Sequence, residues 1–401
     1  MIAHDGYMKK LSAKTDYLLG FVILFAIGIA SFAVAYRQTG LAITDISIHM
    51  MSADAIFRGN ETTSYPGWFY VCGFLSHVLR LPLGVSAALA SSIYNVLCFV
   101  VMYYILRQEL GEANLTNHAI VFIMAFLGPI HFNTRDIYNN TALFNTWHNP
   151  TNTSVKFLAL LCFFLMVYSV DLQKNARVDI LGRPFTKRKI DIALSAAVFV
   201  SLLCKPSFFQ VLAPTLGVIY FVQLCRGKKT IGDCFKDCLI YLPSLFLLFY
   251  QMFDNFGGPG EGFQIALFKV WRVFSSNLFL STLSLMAFPV FVAAFCVKDW
   301  KKATAFQYAF AFFGVGLLEF AVLAETGERW ADGNFSWGTG LGFGILCFYA
   351  IISFLKFIRA NRDDQSVAVR IKSLAGGGLL LAHFCWGVWY YFQLLLGICW
   401  Y

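Results

Sequence analysis

The chain has 401 residues, of which 58% are hydrophobic and only 13% charged. Soluble domains carry about a quarter charged residues and stay under half apolar, so this polar surface is too small to coat a water-soluble globule, and a soluble enzyme with a single anchor is excluded. The formal net charge of +9 does not point to nucleic acid either, because the basic residues form short clusters between apolar segments and not one stripe.

Lys9, Lys10 and Lys14 precede the first apolar stretch, 17–36, which is longer than a signal-peptide core and lacks a small-residue cleavage site. It reads as a retained first helix. Crossing a bilayer takes about 20 apolar residues. That template picks out eleven spans, at 17–36, 84–106, 118–132, 155–171, 191–204, 206–225, 238–253, 277–297, 303–324, 339–358 and 373–398. The stretch 66–81 is apolar but short and carries His77 and Arg80, and charge bias decides whether it crosses. If it does not, the loops 1–16, 107–117, 172–190, 226–237, 298–302 and 356–372 share one side and hold 22 of the 31 Lys and Arg residues. The positive-inside rule makes that side cytoplasmic.

The expected topology therefore has 66–81 half-inserted, a cytoplasmic N-terminus and an extracytoplasmic C-terminus. The segments 37–83, 132–154, 254–276 and 325–338 then lie outside. Sequons at Asn60, Asn139 and Asn152 are of a kind that arises by chance and do not establish a eukaryotic origin; a bacterial plasma membrane is expected over the endoplasmic reticulum. Most of the eleven cysteines lie in apolar runs, and the close pair Cys234 and Cys238 has no His beside it, which argues against a metal site there. Chemistry is expected outside, since the inner loops are short and hold no phosphate-cradling Gly-x-x-x-x-Gly-Lys-Ser motif.

Directly after the first span, Ile43, Ile46, Met50, Ala53 and Phe57 recur at helical spacing, with Thr44 placed to cap and Gly59 to terminate. The spacing predicts a short amphipathic helix. Asp45, His49 and Ser52 fall on its other, polar face, and the helix dipole favours an ionised Asp45 at the N-terminus. Functionally, Asp45 is a candidate general base or acceptor ligand assisted by His49; structurally, the pair is a dipole partner and a solvated imidazole. A second interfacial helix follows, opened by Ser64-Tyr65-Pro66-Gly67-Trp68.

In this order of elements the chain resembles the GT-C superfamily of polytopic glycosyltransferases. Asp45 stands where that family has an acidic catalytic residue soon after span one, and Tyr65-Pro66 opens an apolar interfacial helix as the family's Tyr-Pro or His-Pro-Pro segment does. The fuller Pro-Pro form is absent here. The resemblance covers 17–225 and implies an enzyme that takes a sugar from a polyprenyl-phosphate carrier and transfers it on the extracytoplasmic face. It also implies a phosphate-binding lysine in an outer loop, for which Lys205 in Cys204-Lys205-Pro206-Ser207 is the match.

Two further outer segments carry chemistry. Phe132-Asn133-Thr134-Arg135-Asp136 and Phe144-Asn145-Thr146-Trp147-His148-Asn149-Pro150-Thr151-Asn152 combine amide and hydroxyl groups with an indole face, as sugar sites do. An Asn-Pro turn capping the next span is the competing reading. Lys156, just inside that span, is expected to snorkel to the interface. Between spans nine and ten, the segment 324–338 holds Glu325, Glu328, Arg329, Trp330, Asp332 and Trp337, bordered by lipid on both sides. A fork-shaped cation among acids and tryptophans suits a phosphate-sugar headgroup; an internal Arg–Glu pair with interfacial tryptophans is the alternative. Glu319, inside span nine, is expected to face a polar cavity. The Gly-rich loop 254–262 reads as a connector more readily than as a lid.

The expected fold is all-α: one integral membrane domain over 1–401, a helical bundle of about eleven spans with interfacial helices in its first outer loop, divided into a GT-C-like module, 17–225, and a C-terminal helical module, 226–401. The expected activity is inverting transfer from a polyprenyl-phosphate or polyprenyl-diphosphate sugar to a glycan or lipid-linked acceptor. Asp45 and His49 serve catalysis. Arg329, Lys205 and His148 hold the donor phosphate, and Glu325, Glu328, Asp332, Trp337, Asn149 and Trp147 hold sugar or acceptor. The sequence establishes no cofactor; a divalent cation, Mg²⁺ or Mn²⁺, at Glu325 or Glu328 is left open. The rivals are a polymerase or ligase joining lipid-linked repeat units, and a lipid-linked glycan transporter.

Overall fold

The stretch 17–36 belongs to α1 (Ala13–Thr39), whose start is capped by the Ser12 hydroxyl, in the computed structural model of the protein. Residues 11–41, 44–111, 114–130, 149–172, 176–258 and 260–398 are described. After α1 come α2 (Asp45–Phe57), α3 (Gly67–His77), α4 (Leu83–Leu110), α5 (Leu115–Ala125) and α6 (Pro150–Asp171). A small ribbon, β1 (Arg177–Ile180) with β2 (Arg183–Thr186), precedes α7 (Lys187–Cys204), α8 (Ser207–Cys225), α9 (Ile231–Cys238) and α10 (Leu242–Phe256). Then follow β3 (Phe263–Ile265), α11 (Trp271–Phe274), α12 (Leu278–Phe295), α13 (Thr304–Val322), β4 (Leu323–Glu325), α14 (Ser336–Ala360) and α15 (Val367–Leu396).

The described residues are all-α apart from the two ribbons. Among the described residues eight helices, α1, α4, α6, α8, α12, α13, α14 and α15, are long and apolar enough to cross a membrane. A multi-pass membrane protein follows. The eleven expected spans each meet a helix, but the other three meet shorter or less apolar ones: α5 with 11 residues, α7 with 18 and α10 with 15.

α1 and α4 run antiparallel. Ser92 Oγ donates to the Gly28 carbonyl (2.7 Å), Asn95 Nδ2 donates to Ser31 Oγ (2.8 Å), and Tyr103 donates to Asp16 at the far end. Gly84 sits against Thr39, so α4 starts where α1 ends. The intervening α2 and α3 therefore stay at one end of the bundle, and the stretch 66–81 does not traverse it. Ile46, Ala53 and Ile56 of α2 pack with Trp68, Phe69 and Cys72 of α3 on the first turns of α4. α3 is locked at its start: Trp68 Nε1 donates to Ser91 Oγ (3.1 Å), Tyr94 donates to the Gly67 carbonyl (3.0 Å), and Gln251 of α10 donates to the Ser64 carbonyl (2.9 Å).

α14 is apolar on every side and runs through the core, with α13 as its main neighbour. Small residues let these helices approach closely: Thr339 donates to the Gly316 carbonyl (2.7 Å), and a Cβ on Gly342 would come within 2.9 Å of Phe313 Cα. α6 lies beside them and is buried along most of its length. Lys156 does not snorkel. It is wholly enclosed on α6, with no exposed surface, because most of α6 is buried among its neighbouring helices. Asn152 is likewise buried in α6, so its sequon is closed to glycosylation.

Candidate functional site around Asp45, Lys205 and Arg329

Thr44 and Ser47 form a reciprocal cap at the start of α2, which places Asp45 on the first helical residue. Its Oδ2 accepts a hydrogen bond of 2.7 Å from Asn149 Nδ2. Asn149 is itself the cap of α6, where Pro150 starts the helix, and its Oδ1 accepts from the Asn152 backbone N–H (2.8 Å) and from Thr151 Oγ1 (2.7 Å). Lys205 Nζ donates to the same Oδ1 (3.1 Å) and to Thr151 Oγ1 (3.2 Å). Asn149 thus joins Asp45 to Lys205 across three separate parts of the chain.

Lys205 is where it is because Pro206 follows it. A residue before proline is driven out of the helical region, and Lys205 is extended at φ −168°, ψ 137°, ending α7 and turning the chain into α8. Its ammonium lies 4.6 Å from the centre of the Trp337 ring. Burial pushes its pKa down to about 7; the Asp45 carboxylate pulls the other way and Arg329 adds to the depression. Two cations that repel each other across one hollow create affinity for an anion between them.

That hollow is a cavity of about 260 Å³. Lys205, Trp337, Glu319, Glu325, Arg329 and Tyr65 are among the residues that line it. Glu325 is buried; Arg329 Nε lies 3.4 Å from its Oε2, which also accepts from Asn334 Nδ2 (3.0 Å). Burial raises the Glu325 pKa, with Asn334 and Arg329 pulling it back. Asn334 Oδ1 in turn accepts from Trp337 Nε1 (3.3 Å), so the segment before α14 is held by its own polar groups. Two bends in it, at Gly327 and Gly333, have φ of +68°, a conformation glycine adopts without strain. The Gly-rich loop is tied down here too: β3 pairs with β4, Thr326 Oγ1 donates to the Gly260 carbonyl (2.8 Å), and Phe256 and Phe263 line the cavity.

Several expected residues sit elsewhere. His49 is not solvated on a polar face with Asp45: its Nδ1 donates to the Asp45 carbonyl (2.7 Å) and its ring stacks on Phe69, 5.5 Å between centres. The physical reason is that α3 packs over that side of α2, so the imidazole meets Phe69 where solvent was expected. Neither Asp45 nor Asn149 is among the cavity's lining residues; Asp45 is linked to the lining Lys205 through Asn149. Glu328 is exposed and outside the lining, and Asp332 is half exposed, 3.4 Å from Arg329. Trp147, His148 and the segment 132–136 lie outside the described residues. The pattern missed Tyr65 as a lining group, along with Gln210, Gln251 and Asn255; isolated amides on apolar helices were the available signal, since each is costly in lipid.

Among the described residues no three of His, Cys, Asp and Glu come together as a metal group. Arg329 Nε lies 3.4 Å from both the Glu325 and the Asp332 carboxylates. No protein-family model matches the chain, and no curated protein matches it.

The Lys205 shift predicts a pH dependence of stability. The unfolded chain binds a proton at this lysine that the folded chain releases, between about 7 and the usual 10.5. Where the unfolded state binds more protons, stability rises with pH. The Tm of the wild type relative to Lys205→Met is therefore expected to climb between pH 7 and 10, and a flat difference would mean that the ammonium is not desolvated.

Proposed function

We propose that the protein is a GT-C-like membrane glycosyltransferase that uses a polyprenyl-phosphate or polyprenyl-diphosphate sugar on the extracytoplasmic face. The observation that carries this reading is the Asn149 bridge, which ties the Asp45 carboxylate to Lys205, a residue that lines one cavity together with Arg329. In the proposed reaction an acceptor hydroxyl oxygen attacks the anomeric carbon. The bond from that carbon to the phosphate oxygen breaks, with its electron pair leaving on the phosphate, and the hydroxyl proton passes to Asp45. Lys205 and Arg329 stabilise the charge gathering on the leaving phosphate, and one displacement inverts the configuration. Trp337, Glu325 and Asn334 meet the sugar.

Size and lining support a lipid-linked monosaccharide. Ligand pockets hold about 300–1,000 Å³, and about 260 Å³ accommodates one sugar phosphate more readily than a glycan block. Leu248, Met252 and Phe256 of α10 line the cavity, while Phe246 and Phe253 on the same helix are largely exposed, an apolar path for a carrier chain.

The test is to incubate purified protein with a panel of lipid-linked sugars and measure released carrier phosphate. One donor is expected to be turned over, and Arg329→Gln to lower that rate by about 10²–10³-fold. A folded protein that neither binds nor consumes any donor ends the proposal. The polymerase or ligase reading draws support from Asp45 lying outside the cavity lining; it is favoured if Arg329→Gln abolishes turnover and Asp45→Asn leaves it unchanged.

A further inference from the structure

α7, α8 and α13 each reach the Lys205–Arg329 cavity with one end, and α6 approaches it through its cap Asn149, bonded to Lys205. Their other ends surround a second, larger hollow of about 1800 Å³, open to solvent. With a rise of 1.5 Å per residue, the 22 residues of α6 separate the two by about 33 Å, so they occupy opposite ends of the bundle.

The charges around this basin are sorted. Among the described residues all four lining carboxylates are engaged: Asp171 accepts from Tyr308 (2.7 Å), Asp191 from Ser169 (2.6 Å), and Asp233 from Thr230 at the start of α9 (2.7 Å). Asp237 pairs with Lys187 (3.2 Å) and Lys229. Those two lysines are thereby used up. Arg177, Arg188, Arg226, Lys228, Lys236 and Lys301 also line the basin, and among the described residues none has a carboxylate within ion-pair distance. Basic loops that serve topology alone need neither a concave wall nor acids tied off by hydroxyls and lysines.

The rim is apolar. α9 exposes Ile231 (78%) and Phe235 (67%) beside Lys236 and the exposed Leu239, a short amphipathic helix suited to lying in a membrane interface. A ligand in the basin would therefore sit at the bilayer surface, with cations around it and apolar side chains at its edge.

We propose that this basin is a binding site for a phosphomonoester or diphosphate at the membrane surface, carried by a lipid headgroup or by a soluble nucleotide. The site is separate from the glycosyltransferase reading and does not depend on it. Charge-assisted contacts from several unpaired cations provide the attraction, and added salt weakens them.

The experiment uses the full chain in phosphatidylcholine nanodiscs. One arm measures binding of a fluorescent nucleoside diphosphate by anisotropy; the other counts phosphatidic acid retained from mixed nanodiscs by native mass spectrometry. Arg226→Gln with Lys228→Gln, both exposed, is expected to weaken whichever probe binds by about tenfold, while Arg370→Gln with Lys372→Gln on α15 leaves binding intact. Loss in the nucleotide arm alone assigns a soluble ligand, and loss in the lipid arm alone assigns a headgroup. If the double variant does not fold, Lys301→Gln and a salt titration of the wild type replace it. No binding in either arm, or binding insensitive to both the substitutions and salt, overturns the proposal. The lipid arm is repeated in the Arg329→Gln background, so that phosphatidic acid held at the other end of the bundle is not counted for the basin.

Discussion

Asp45→Asn is expected to lower sugar transfer by about 10²–10⁴-fold, the range a general base contributes, in a protein that purifies and melts as the wild type does. The substitution keeps the shape, and an Asn carbonyl still accepts the 2.7 Å bond from Asn149 Nδ2. What disappears is the negative charge and the ability to take a proton. A second readout follows from the same bond. The Asp45 carboxylate holds the Lys205 pKa up against burial, so removing its charge lowers that pKa further and weakens the grip on donor phosphate at neutral pH. Turnover should therefore fall together with donor affinity. Unchanged turnover in a folded Asp45→Asn variant would remove Asp45 from catalysis and leave Arg329 and Lys205 as the groups to explain.

The largest effect on stability is expected from Gly387→Ala. α15 shows much exposed apolar surface and is clamped to the segment after α5 at one place. There the Gly128 N–H donates to the His383 carbonyl (2.9 Å) and His383 Nδ1 donates to the Gly128 carbonyl (2.7 Å). Gly387 is the point of closest approach: a Cβ on it would lie 2.6 Å from Gly128 N and closer still to the Phe126 carbonyl. Overpacking a rigid site costs about 1–3 kcal/mol, and here the obstruction is backbone, which cannot rotate away as a side chain can. Gly377→Ala and Gly378→Ala on the same helix meet nothing within 4 Å and serve as controls; removing a glycine from a helix interior is neutral or stabilising. Thermal unfolding in detergent should show Gly387→Ala well below both. Equal melting of all three would mean that α15 does not dock as described.

Much of the helical layout could be read from local pattern. Hydropathy found a segment on every long apolar helix, and the count of basic residues turned 66–81 back before α4, where α3 is found. Thr44 capping α2 and Asn149 capping α6 were likewise legible, because a cap depends only on the next few residues. The same local logic failed for His49 and Lys156. A period of 3.6 residues says which side chains share a face but not what covers that face; α3 covers His49, and interior packing of α6 encloses Lys156.

By itself the sequence determined that the chain is a multi-pass helical membrane protein and which short segments hold its polar chemistry, because burial in lipid and charge bias are properties of neighbouring residues. Only the tertiary structure decided which of those segments meet. Asp45 and Glu325 stand 280 residues apart and reach one site because α6, α7, α8 and α13 pack side by side with their ends level. The same packing gathered the unpaired cations of the opposite end into a basin. Contacts of that kind depend on how rigid helices fit against one another, which no count along the chain contains.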